Sequence, residues 1–217
     1  MKNLLIKELK LAIQPISFFF LAAVLLTLVP GYPILLGSFF ICLGLFQSFV
    51  FFREANDILY TALLPIRKAH AVKAKYLSVL FIETLGFLGM AVLTAVRMTV
   101  LSGGEPYVKN ALMNPSPFFL AGALLIFLEF NLIFLGGFFR TAYKVGVPFI
   151  IFIVVSMLTI GALEALHFFP GLQFLNTTSG ERLPLQFGIL LGAAVIFVLG
   201  TWLSERASER RFEAIDL

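Results

Sequence analysis

Six long apolar runs occupy most of this chain: residues 16–29, 34–52, 77–101, 118–139, 147–166 and 187–203. Only four ionisable side chains fall inside them. A membrane-crossing helix needs about 20 apolar residues, each rising 1.5 Å. The first run is short by that measure, the last is at the lower limit, and the other four fit. Of the 217 residues, 60% are hydrophobic and 13% charged. A soluble domain of this size has too much surface to hide so many apolar side chains from water. The mean hydropathy of +1.00 agrees. The runs therefore predict an all-α integral membrane protein of six transmembrane helices, forming a single transmembrane domain over residues 1–217.

Lysine and arginine give the orientation, because cytoplasmic loops retain them. With the N-terminus inside, cytoplasmic segments hold thirteen: Lys2, Lys7, Lys10, Arg53, Arg67, Lys68, Lys73, Lys75, Arg140, Lys144, Arg206, Arg210 and Arg211. External segments hold two, Lys109 and Arg182. Both termini are thus expected in the cytoplasm and the chain in the plasma membrane. The net charge of +4 is explained by topology, so no nucleic-acid partner is expected.

Residues 1–14 carry their own pattern. Asn3, Lys7, Lys10 and Gln14 share one helix face, and Leu5, Leu9, Ala12 and Ile13 lie on another. This predicts an amphipathic helix in the membrane interface, with Pro15 breaking it from the first span. The alternative is that these residues are the solvated first turns of that span. Pro30–Gly31–Tyr32–Pro33 predicts a tight turn between spans one and two. The external segment 167–186 begins with Phe168, Phe169, Leu172, Phe174 and Leu175, which predicts a loop that dips back into the membrane.

The polar segment 53–76 between spans two and three is the richest in the chain. Glu54–Leu63 has good helix formers, early acidic residues and Pro65 beyond its end. Ile58, Leu59, Ala62 and Leu63 form an apolar stripe at helical spacing. Leu64, Pro65 and Arg67 follow, then Lys75, Tyr76 and Leu77 leading into span three. This order, with a basic amphipathic start and six spans, resembles the type-two ABC exporter permeases. It looks most like the small permeases associated with export of amphipathic peptides and antimicrobial compounds.

The resemblance implies that the short helix is a coupling helix seated on an ATP-binding cassette subunit, with Ile58, Leu59, Leu63, Leu64, Pro65 and Arg67 at the contact. It also implies a second permease, as homodimer or heterodimer. The bland alternative is a solvated loop that only sets topology. No glycine is followed by lysine, so this chain has no phosphate-binding G-x-x-x-x-G-K-[ST] loop. No cofactor is expected on it. ATP and magnesium would sit on the partner, and the chain itself is not expected to be an enzyme. One cysteine, Cys42, and two histidines, His70 and His167, build no zinc cluster.

Glu83, Arg97, Glu129 and Glu164 lie within spans, where ionisable groups are costly and face protein or water. Glu83, Gly86, Met90, Thr94 and Arg97 form one stripe on span three. Gly122, Glu129 and Gly136 keep heptad spacing on span four. Arg97 and Glu164 lie at similar depth, so an ion pair between spans three and five is expected. Glu129 is either a substrate-path or proton-handling residue, or a packing hydrogen bond. Gly37, Gly44 and Ser48 on span two, and Gly188 and Gly192 on span six, predict close packing, within the chain or between two permeases. Asn176–Thr177–Thr178 matches a glycosylation acceptor, a match that chance explains equally well. Glu83 and Glu129 also permit a rival reading, an ATP-independent secondary transporter or channel driven by intramembrane carboxylates.

Overall fold

The computed structural model describes residues 2–9, 14–63, 66–105, 112–141, 144–178 and 180–215. Among these residues the fold is helical and contains no strand. Two short helices come first, α1 (Lys2–Lys7) and α2 (Pro15–Phe20), and α2 continues as a 3₁₀ helix over Leu21–Leu28. Then come α3 (Leu36–Glu54), α4 (Asp57–Leu63), α5 (Lys68–Thr99), α6 (Pro117–Thr141), α7 (Gly146–Ala165) and α8 (Leu183–Glu213). Five of these, α3, α5, α6, α7 and α8, are long and apolar enough to cross a membrane.

The first apolar element is shorter, Pro15–Leu28. Its 3₁₀ stretch rises about 2 Å per residue, so the element spans about 25 Å rather than the roughly 21 Å of a plain α-helix. The carbonyl of Thr27, near its end, has no partner within the helix. It accepts a hydrogen bond from Arg97 Nη1 on α5 at 2.6 Å, which places a cation on the negative end of a helix.

The central element is α6. In its most apolar window 78% of residues are buried, against 11% for α8. It packs on α3, α5, α7 and α8, whereas the first apolar element packs on α3 and α5. Ser116 caps α6, its Oγ accepting from Phe119 N, and Pro117 fills the first turn where no amide donor is needed. A π-helical turn over Phe130–Leu135 interrupts α6.

Two kinds of packing hold the bundle. The glycine face of α3 accepts the first apolar helix at close range. A Cβ on Gly37 would stand 2.9 Å from the Ala23 carbonyl oxygen, and one on Gly44 would stand 2.6 Å from Phe20 Cβ. Ser48 continues that face, sharing a hydrogen bond with Ser17 at 2.8 Å. The α3–α6–α7 junction is instead built from phenylalanine. Phe46 stacks on Phe149 at 3.7 Å, and Phe49, Phe130, Phe134 and Phe152 interlock around them. Lipid tails are as apolar as these rings, so shape and dispersion, rather than escape from water, drive such packing.

At one end of the bundle, the segment after α7 forms two 3₁₀ turns, Leu166–Phe168 and Gln173–Asn176. Leu175 enters the core, while Phe168 and Phe169 face outward. Asn176 Oδ1 accepts from the Asn114 amide and Gln186 donates to the Phe174 and Thr177 carbonyls. Asn176 thus helps to hold two loops together through its side-chain oxygen and its carbonyl.

Candidate functional site

At the opposite end, α3 finishes at Glu54 and the chain reverses through Asn56, whose φ of 51° is left-handed. Asparagine tolerates that conformation better than most residues. The reversal starts α4 at once and puts Asp57 in its first turn, where a carboxylate complements the helix dipole. Asp57 meets Lys75 near the start of α5 and Lys7 at the end of α1.

These residues form a closed cluster of two cations and two anions. Lys75 Nζ lies 2.9 Å from Glu8 Oε2 and 2.8 Å from Asp57 Oδ2. It also lies 3.7 Å from the centroid of the Phe52 ring. Lys7 pairs with Asp57 and, at 3.2 Å, with Glu8, and donates to Thr61 on α4 at 2.7 Å. Glu8 and Lys75 are buried, so the charges must compensate one another. Burial alone pushes the Asp57 carboxyl up, but Lys75 and Lys7 outweigh it and hold it below its usual value. Burial pulls the Lys7 ammonium down, yet Asp57 and Glu8 leave it above its usual value. Lys7 therefore faces inward to the cluster and not onto a free polar face of α1.

The cluster fastens one side of α4. The other side is open: Tyr60 is 67% and Leu63 75% exposed. Ile58 and Leu59 lie on α4, and Leu64 and Pro65 lie outside the described residues. Arg67 is exposed and extended immediately before α5.

Deeper in the bundle a second polar set joins α5, α6 and α8. Glu83 is buried, and its Oε2 accepts from Asn131 Nδ2 at 3.0 Å. The same nitrogen reaches Thr201 Oγ1 at 3.2 Å. Asn131 lies in the π turn, where backbone carbonyls lose their i+4 partners. Its carbonyl accepts from Ser204 Oγ at 2.7 Å. Tyr76 Oη completes the set, 2.8 Å from Ser204 Oγ and 2.9 Å from Ser208 Oγ. Side-chain bonds across helices are the polar adhesive available where water is absent.

The α5 stripe Glu83, Gly86, Met90, Thr94 and Arg97 is buried throughout. The expected Arg97–Glu164 ion pair does not form: Arg97 caps the first apolar helix, and α5 and α7 share no substantial packing. Glu164 Oε1 is buried without a hydrogen-bond partner among the described residues. Glu129 accepts from Thr159 Oγ1 on α7. Gly122 faces Leu163 and Leu35, but Gly136 faces Ser204 and Arg211 on α8. The expected common face of Gly122, Glu129 and Gly136 is therefore split. The π turn adds about one residue, which rotates the remainder of α6 by roughly 100°.

Asn131, Ser204 and Ser208 do not stand out in the sequence reading, and neither does the Glu8–Lys75 pair. Signals existed for both. Thr201, Ser204 and Ser208 recur at helical spacing along the last helix, and Glu8 is the one acid among the first lysines.

Comparison with curated proteins and with solved structures gave no match. The family model described as "ABC-2 family transporter protein" matches residues 3–212. That match takes in α1, the α4 segment, the Lys75 and Tyr76 anchors and nearly all of α8. The chain belongs to the ABC-2 transporter membrane family.

Proposed function

We propose that this chain is the permease subunit of an ATP-driven exporter, moving amphipathic peptides or other hydrophobic compounds out of the cell. In this reading the first apolar element is a sixth span, stretched by its 3₁₀ geometry. The lysine-rich end faces the cytoplasm, and α1 lies in the inner interface. A separate subunit binds ATP and magnesium, and a second permease, identical or paralogous, completes the pathway.

The observation that carries the reading is the two-sidedness of α4. One side is clamped by Asp57 and Thr61 to α1 and α5, and the other presents Tyr60 and Leu63 to the surroundings. A clamped helix with an open apolar side suits a coupling element. Movement of an ATPase against Tyr60 and Leu63 would pass through Asp57 to Lys75, and along α5 to the Glu83–Asn131 contact with α6 and α8. Arg67 would add a cation at the edge of that contact.

The test replaces Tyr60 and Leu63 by Asp, putting two charges into the proposed contact and leaving every span intact. The variant is expected to insert and fold, to lose co-purification with its ATPase, and to lose export. Normal ATPase binding and export by the folded double variant would remove α4 as the coupling helix.

A further inference from the structure

Beside Glu83 a crevice of about 90 Å³ opens between α5, α6 and α8. Its walls are Thr84 and Phe87 of α5, Leu124 and Phe127 of α6, and Phe197 of α8. Glu83 is 1% exposed, and its Oε2 is held by Asn131. Its Oε1 is buried in the same place and has no hydrogen-bond partner among the described residues. Nor does any lysine or arginine form a salt bridge with it among them. Thr84 already donates to the Leu80 carbonyl at 2.7 Å.

The crevice has room for about three waters, but a buried water needs two to four polar partners. Of the side-chain oxygens in the lining, Thr84 Oγ1 is already bonded and Glu83 Oε1 is the one buried without a partner among the described residues. What suits an unpaired carboxylate oxygen among three phenylalanines is an ammonium group, which gains from the carboxylate and from aromatic faces together. The volume takes such a head group and its first carbons, not a whole molecule. Thr84 is exposed, and Phe87 and Phe197 are half-exposed, on the apolar flank of the bundle. Entry is thus sideways, from the bilayer, for a ligand whose remainder is apolar.

We infer that the Glu83 crevice is a binding site for the ammonium group of cationic amphiphiles. As a substrate contact it presupposes the exporter reading, but the binding itself does not. The probe is dodecylammonium, with dodecanol as its neutral counterpart. Both are titrated onto the purified chain in dodecyl maltoside by equilibrium dialysis. The wild type is expected to prefer the ammonium by about tenfold or more, as for a charge-assisted contact. Glu83→Gln keeps an acceptor for Asn131 and is expected to abolish the preference while binding dodecanol as before. Phe87→Trp fills the crevice with the carboxylate intact, and is expected to weaken ammonium binding if Glu83→Gln proves unstable. No preference in the wild type, or an unchanged preference in both variants, would overturn the site. Co-purification with an ATPase is scored on the same preparations. Its absence from wild type would count against the exporter reading while leaving the binding result to stand.

Discussion

Lys75 and Tyr76 are neighbours in sequence and do different work. Lys75 neutralises Glu8 and Asp57, and Tyr76 bonds Ser204 and Ser208 on the last helix. Replacing Lys75 by Met leaves two carboxylates facing each other with Lys7 alone, and is expected to cost about 3–5 kcal/mol. Thermal unfolding in detergent measures it, and a loss below about 1 kcal/mol, the range of an exposed pair, would contradict a compensated cluster. The pH dependence has a definite sign. The lowered Asp57 contributes above about pH 4, its unfolded value, and that contribution disappears as pH falls through the folded value. The raised Lys7 contributes below about pH 10.4 and loses this as pH rises through its folded value. Spin labels at Ile6 and Tyr60, both exposed, should therefore keep one distance across the neutral range. The distance should spread in wild type below about pH 4, and already at neutral pH in Lys75→Met.

Among the elements, the two glycine faces expected to pack closely have opposite fates. Gly44 lies against Phe20, so Gly44→Val must push the first apolar helix away and is expected to cost about 1–3 kcal/mol. Nothing lies within 4 Å of a Cβ on Gly192, so Gly192→Val is expected to leave the stability of the single chain nearly unchanged. Comparing their unfolding midpoints checks both, and equal losses would mean that the Gly44 contact is not a close one. The α6 heptad carries a related lesson. Spacing counted along a sequence assumes an unbroken α-helix, and the π turn at Phe130–Leu135 breaks the count between Glu129 and Gly136.

For the whole molecule, the proposed orientation is read by labelling. In a Cys42→Ala background, cysteines at Ser102 and Thr177, both exposed, should react with impermeant thiol reagents from outside the cell. Cysteines at His70 and Arg210, also exposed, should react only after the membrane is opened. External labelling at His70 would invert the topology. The structure already groups the ends that this test compares. Lys68 donates to the Ile215 carbonyl at 2.6 Å, so the start of α5 and the end of α8 lie together. Asn114 and Asn176 join the two loops at the other end.

The helical membrane class was legible in the sequence because a bilayer imposes one strong, local demand. A span must be apolar for about 20 residues, and each helix satisfies its own backbone. The buried α5 stripe and the glycine face of α3 were legible for a related reason, since helical periodicity alone places such residues on one side. Partners were another matter. Depth and opposite charge made Arg97 and Glu164 look like a pair, but depth says nothing about which helices are neighbours. Only the packing decided that Arg97 meets the Thr27 carbonyl and that Lys75 finds Glu8, a residue 67 positions away. The π turn belongs to the same class. It gives up regular backbone bonds, and what it gains, the Ser204 bond to the Asn131 carbonyl, exists only once α8 is docked.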